Sequence, residues 1–116
     1  MLTEAAGVNM ANFNHTLVKD NTYIEKDTTN DQAYYDRAMV YFQRQEFDLA
    51  LDDLNKAIRL NPTNYSAYYY RGLIYKNEIE LDKALKDLIK YIKHYPDDFN
   101  AHGIWAPVTS VHRIYD

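Results

Sequence analysis

A block of residues recurs 34 positions downstream, and that recurrence limits the folds open to this chain. Ala33-Tyr34-Tyr35-Asp36-Arg37-Ala38 returns as Ala67-Tyr68-Tyr69-Tyr70-Arg71-Gly72. Tyr41 returns as Tyr75, and Asp48-Leu49-Ala50-Leu51-Asp52-Asp53-Leu54 as Asp82-Lys83-Ala84-Leu85-Lys86-Asp87-Leu88. Ile58 becomes Ile92, Pro62 becomes Pro96, and Asn64 becomes Asp98. A period of this length marks stacked supersecondary units rather than a single closed core.

Each unit reads as two helices. Tyr34, Ala38 and Tyr41 fall at i, i+4 and i+7, as do Tyr68, Gly72 and Tyr75, which is one face of a helix. The second helix carries Phe47, Ala50, Leu51, Leu54, Ala57 and Ile58. Its counterpart carries Leu81, Ala84, Leu85, Leu88, Tyr91 and Ile92. Small residues at Ala38 or Gly72 and at Ala50 or Ala84 let the two helices approach closely. Asn30, Asn64 and Asp98 stand before the apolar-periodic runs, where a side-chain oxygen can cap first-turn N–H groups. Pro62 and Pro96 follow the second helices, where no further turn is wanted.

The small, aromatic and proline positions of residues 31–98 resemble the tetratricopeptide repeat family. The resemblance implies an all-α, helical-hairpin solenoid of right-handed superhelical stacking, with two full repeats at 31–64 and 65–98. Two departures stand out. Gln45 and Ile79 occupy the place where the family often has glycine. A β-branched residue suits a left-handed cap poorly, so a distorted second turn is expected. Tyr91 replaces the family's late alanine, and its bulk is expected to push away whatever packs next.

The period continues faintly outside these units. Phe13-Asn14 aligns with Phe47-Asp48, and Leu17 with Leu51. Residues 13–26 therefore read as the second helix of a decayed preceding unit within 1–30, although Asp20 stands where Leu54 and Leu88 sit. Downstream, in residues 99–116, Ala101 aligns with Ala33 and Ala67, and Ala106 with Ala38 and Gly72. Gly103 and Pro107 interrupt that run, so 99–106 is at most a short helix. Burying a continuous core takes about three repeats. The flanking partial units must cap the stack, the chain must self-associate, or it is a piece of a longer array.

Composition narrows the function classes. A net charge of −4 argues against nucleic acid. The absence of cysteine removes thiolate metal sites. Met1–Val8 has neither a basic region nor a long apolar run, and no stretch approaches the roughly 18 apolar residues of a membrane span; a cytoplasmic location is the default. His15, His94, His102 and His112 form no pair at metal-ligand spacing, and no nucleophile or phosphate-loop motif is present. Neither a catalytic residue nor a cofactor is expected. Asp52-Asp53 and Lys86-Asp87 read as parts of a solvated charged face. Twelve tyrosines fit either coding bias or a contact surface of stiff amphipathic rings.

The resemblance further implies that the outer face of each first helix lines a concave groove. The matching positions are Gln32, Tyr35, Met39 and Phe42, then Ser66, Tyr69, Leu73 and Lys76, with Asp36, Tyr70 and Asn77 at the margins. Some family members clamp the C-terminal carboxylate of heat-shock chaperones with lysine, asparagine and arginine. Here only Lys76 and Asn77 remain, which argues against such a clamp and for an apolar or mixed partner segment. The expected function is a protein-binding scaffold, with Tyr35, Met39, Phe42, Tyr69 and Leu73 as anchors and Lys76 and Asn77 orienting the ligand. The alternative is that Tyr35, Met39 and Tyr69 are core covered by a flanking helix or a twin chain; as a self-assembling subunit, the chain would bury its incomplete ends and Tyr91 against a copy of itself.

Overall fold

The computed structural model describes residues 17–104. Among the described residues six helical segments follow in order: α1 over 17–26, α2 over Asp31–Gln43, α3 over Phe47–Leu60, α4 over Tyr65–Asn77, α5 over Leu81–His94, and α6 over 99–104. No strand occurs among the described residues. Phe13, Asn14, Ala106, Pro107, His15 and His112 lie outside them. The chain divides into two compact units, one ending at Asn61 and the other beginning at Pro62.

The first helices start where their caps dictate. The Ala33 N–H donates to Asn30 Oδ1 at 3.1 Å, and the Ala67 N–H to Asn64 Oδ1 at 3.2 Å. The Ala101 N–H donates to Asp98 Oδ1 at 3.1 Å, so the short α6 begins with the same device. Each cap satisfies a first-turn donor that the helix itself cannot.

Both hairpin turns close alike. Gln45 and Ile79 each adopt φ of 61°. The Gln45 N–H donates to the Phe42 carbonyl and the Glu46 N–H to the Tyr41 carbonyl, at 3.0 and 2.9 Å. The Ile79 and Glu80 N–H groups donate to the Lys76 and Tyr75 carbonyls at 3.0 and 2.8 Å. This paired bonding is the left-handed helix stop in which the six-to-one and five-to-two bonds form together. The expected distortion at Ile79 is therefore absent: the bonds that end α4 hold the β-branched residue in the left-handed region.

In the first unit α2 packs on α3 around Ala38, Ala50, Leu54 and Ala57, all at 0 % exposure. In the second unit Gly72, Ala84 and Leu88 meet in the same relation between α4 and α5. A Cβ added at Gly72 would stand 3.0 Å from Leu88 Cγ, so the helices approach more closely there than alanine would allow without movement of Leu88. Full burial of each leucine contributes about 1.5–3 kcal/mol.

Two carboxylates inside these hairpins correct the solvated-face reading. Asp53 and Asp87 are 2 % and 3 % exposed. Arg37 Nε and Nη2 donate to the two oxygens of Asp53, both at 2.7 Å. Arg71 donates in the same fork to Asp87, both bonds at 2.8 Å. Burial of an aspartate is tolerable only with such a partner. Arg37 Nη1 also donates to Asn21 Oδ1 at 3.0 Å, tying α1 to α2 and α3. Asp52 and Lys86 do lie in solvent.

Candidate functional site

The outer face of α2 carries Tyr35, Met39 and Phe42 at helical spacing, each half-buried, with Gln32 exposed at its start. Gln32 Nε2 donates to Asp36 Oδ1 at 2.8 Å, one turn away. The Phe42 ring meets Phe47 edge-on, with centroids 5.6 Å apart, so this side chain leans on the start of α3. On α4, Tyr69, Leu73 and Lys76 are half-buried and Asn77 is exposed. The helix period brings Tyr35, Met39 and Phe42 onto one face within the first unit, and Tyr69, Leu73 and Lys76 onto one face within the second.

Tyr69 belongs to an aromatic cluster that the sequence reading did not assemble. Its ring lies 5.1 Å from Tyr70 and 4.8 Å from Tyr91, and Tyr91 lies 5.0 Å from Tyr95. Burial, and then the Asp98 charge, hold the Tyr69 hydroxyl above the usual tyrosine range. The Tyr91 hydroxyl donates to Asp98 Oδ2 at 2.6 Å. That bond, followed by burial, pushes the Tyr91 hydroxyl well upward and holds the Asp98 carboxyl below its usual value. Tyr91 thus grips the residue that caps α6 instead of driving the next element away.

A further recurrence was legible at the 34-residue offset. The Tyr68 hydroxyl donates to the Pro62 carbonyl at 3.1 Å. His102, which aligns with Tyr68, places Nε2 2.8 Å from the Pro96 carbonyl. The ring at this position pins the proline-bearing loop that precedes its own helix. Among the described residues no group of three or more His, Cys, Asp or Glu could hold a metal ion. None of their helices is long and apolar enough to cross a membrane.

Two family models match, over residues 32–64 and 54–86, and each describes a tetratricopeptide repeat. Residues 32–86 belong to the tetratricopeptide repeat family. The first tetratricopeptide domain of Spaghetti (RPAP3), solved with the HSP90 peptide SRMEEVD, is similar with a TM-score of 0.80 at 23% identity, over 91% of this chain and 84% of that one. MamA is similar with a TM-score of 0.78 at 28% identity, covering 90% of this chain but only 61% of its own length. The first such domain of human RPAP3 gives 0.76 at 23% identity, over 89% and 81% of the two chains. No curated protein matches the sequence significantly. In this tetratricopeptide repeat chain the small residues between paired helices and the asparagine caps both stand where the repeat needs them. The forked Arg37–Asp53 and Arg71–Asp87 pairs are internal braces of each hairpin.

Proposed function

We propose that this chain is a protein-interaction module, and that its first-helix faces bind an apolar or mixed segment of a partner protein. Residues 31–64 and 65–98 act as the two full repeats, with partial units on either side. Tyr35, Met39 and Phe42 on α2, and Tyr69 and Leu73 on α4, serve as anchors. Lys76 and Asn77 orient the ligand, and Gln32 borders it. The observation that carries this reading is the half-burial of large side chains along one face of each first helix, Tyr35, Met39 and Phe42 on α2 and Tyr69 and Leu73 on α4. A similar domain solved with a bound peptide supports the class of function. That peptide ends in acidic residues, whereas aromatic and aliphatic groups at Tyr35, Met39 and Tyr69 favour an apolar ligand. The module works in the cytosol, without a cofactor or a catalytic role of its own, and contacts neither nucleic acid nor membrane.

The test is affinity capture from the source cell's lysate by wild type and by the Tyr35→Ala/Tyr69→Ala variant, once circular dichroism shows both folded. Loss of two aromatic anchors is expected to weaken a captured partner by about 30-fold or more. Undiminished capture by the variant overturns the reading. Self-assembly is the second reading, supported by Phe99, which is 81 % exposed. A mass that stays monomeric at every concentration removes it.

A further inference from the structure

Although the chain is acidic overall, one cleft of the second unit has a lining with cations and no carboxylate. Tyr65, Lys86, Ile89, Lys90, Lys93 and His94 enclose about 480 Å³ between the start of α4 and the length of α5. Lys86, Lys90 and Lys93 fall at i, i+4 and i+7, one face of the helix. At 1.5 Å per residue the first and last stand about 10 Å apart along its axis. Like charges at such spacing disfavour the helix. Among the described residues none of these three lysines takes part in an ion pair, whereas neighbouring Lys83 reaches Glu80 at 3.5 Å.

The walls of the cleft are set by aromatic contacts. His94 stacks on Tyr65 with ring centroids 4.0 Å apart. Lys90 Nζ lies 4.7 Å from the centroid of buried Tyr68. A row of lysines on an exposed helix is ordinarily a solvated face, but the arrangement recurs. In the first unit Thr28, Tyr34, Lys56, Arg59 and Leu60 line a smaller cleft of about 180 Å³. There Lys56 Nζ lies 5.5 Å over Tyr34. Lys56 and Arg59 precede Lys90 and Lys93 by the repeat length of 34. Each unit builds a cation seated on its first-helix tyrosine, beside a second cation.

We infer that the α5 cleft is a second binding site, for an acidic peptide segment whose carboxylates meet Lys86, Lys90 and Lys93 while an apolar side chain rests on Tyr65 and Ile89. Charge spread over about 10 Å exceeds what one phosphate spans. An extended peptide advances about 3.3 Å per residue and turns alternate side chains to one face, so about five residues present three carboxylates along the row. Lysine ammonium groups are compact point charges on flexible stems and accept carboxylates at varied angles. The site is independent of the first-helix face.

The probe is a fluorescein-labelled peptide, Glu-Leu-Glu-Tyr-Glu-Asp, titrated with the full chain by fluorescence anisotropy. Binding is expected for this peptide and not for its all-glutamine counterpart. It should weaken from about 0.1 M to about 1 M salt, as the screening length falls from about 10 to about 3 Å. Exposed ion pairs each contribute about 1.4- to 5-fold in affinity, so Lys86→Gln/Lys90→Gln/Lys93→Gln should lose between about threefold and about a hundredfold while its circular dichroism is unchanged. Tyr35→Ala/Tyr69→Ala should bind the acidic peptide as wild type does, which separates this site from the first-helix face. Absence of binding to wild type, or equal binding by the triple variant, overturns the inference. So does displacement by inorganic phosphate at the peptide's own concentration, or tighter binding of a single-stranded oligonucleotide.

Discussion

Asp20 shows how one side chain can work against its surroundings. It is 2 % exposed, and among the described residues its Oδ2 has no hydrogen-bond partner. Burial first, and then the charge of Asp36, push its carboxyl from 3.8 up to about 6. The folded chain therefore holds this proton more tightly than the unfolded chain. The stability it lends is complete below the unfolded value and is lost as pH rises through about 6. Asp20→Leu, which restores the residue found at Leu54 and Leu88, should stabilise the chain at pH 7 by about 1–3 kcal/mol. The gain should shrink toward pH 4; urea melts at both pH values check it, and an equal effect at both would refute the argument. Arg71 presents the opposite case. Arg71→Ala leaves Asp87 buried without its forked partner, at an expected cost of about 3 kcal/mol. Adding Asp87→Ala should recover part of that loss, which a double-mutant cycle measures.

Among the elements, the two hairpin turns carry the same backbone conformation on different side chains. Left-handed backbone costs an L-residue about 1–2 kcal/mol, and a β-branched residue is least suited to it. Ile79 is 78 % exposed, so its side chain returns little packing energy. Ile79→Gly removes the strain at the expense of a more flexible unfolded chain. A net stabilisation of about 0.5–1 kcal/mol is expected in thermal denaturation, with helicity unchanged. A lower melting temperature would mean that the Ile79 side chain makes contacts that matter. The caps act at the opposite helix ends, and their recurrence at Asn30, Asn64 and Asp98 explains why α2, α4 and α6 each begin one residue after the cap.

At the scale of the molecule, each compact unit holds its own paired leucine, small-residue contact and forked ion pair. Repeat architectures distribute stability among such units and their nearest neighbours. Leu88→Ala should destabilise by about 2–5 kcal/mol. Amide hydrogen exchange should show protection falling first in α4 and α5, with α2 and α3 affected less. Uniform loss across all four helices would show that the chain unfolds as one block. The same organisation lets the first-helix faces and the α5 cleft be altered separately, because neither set of residues supplies the leucines or the forked pairs that hold its unit together.

Helix positions, their caps and the turn sites were legible in the amino-acid order because their causes are local. A cap reaches three residues, a helical face repeats within seven, and the 34-residue period repeats the whole set. The half-buried row of Tyr35, Met39 and Phe42 follows from the same periodicity. Asp53 and Asp87 were misread because a polar residue in a helix looks alike whether solvated or paired. The deciding partner lies 16 residues away on another helix. The lysine cleft escaped for a related reason: charge spacing along α5 is local, but the wall that makes it concave comes from Tyr65 on α4. The sequence determined where the helices run and which faces they offer; tertiary packing alone decided which charges are enclosed and which are left exposed, because burial and pairing depend on groups brought together through space.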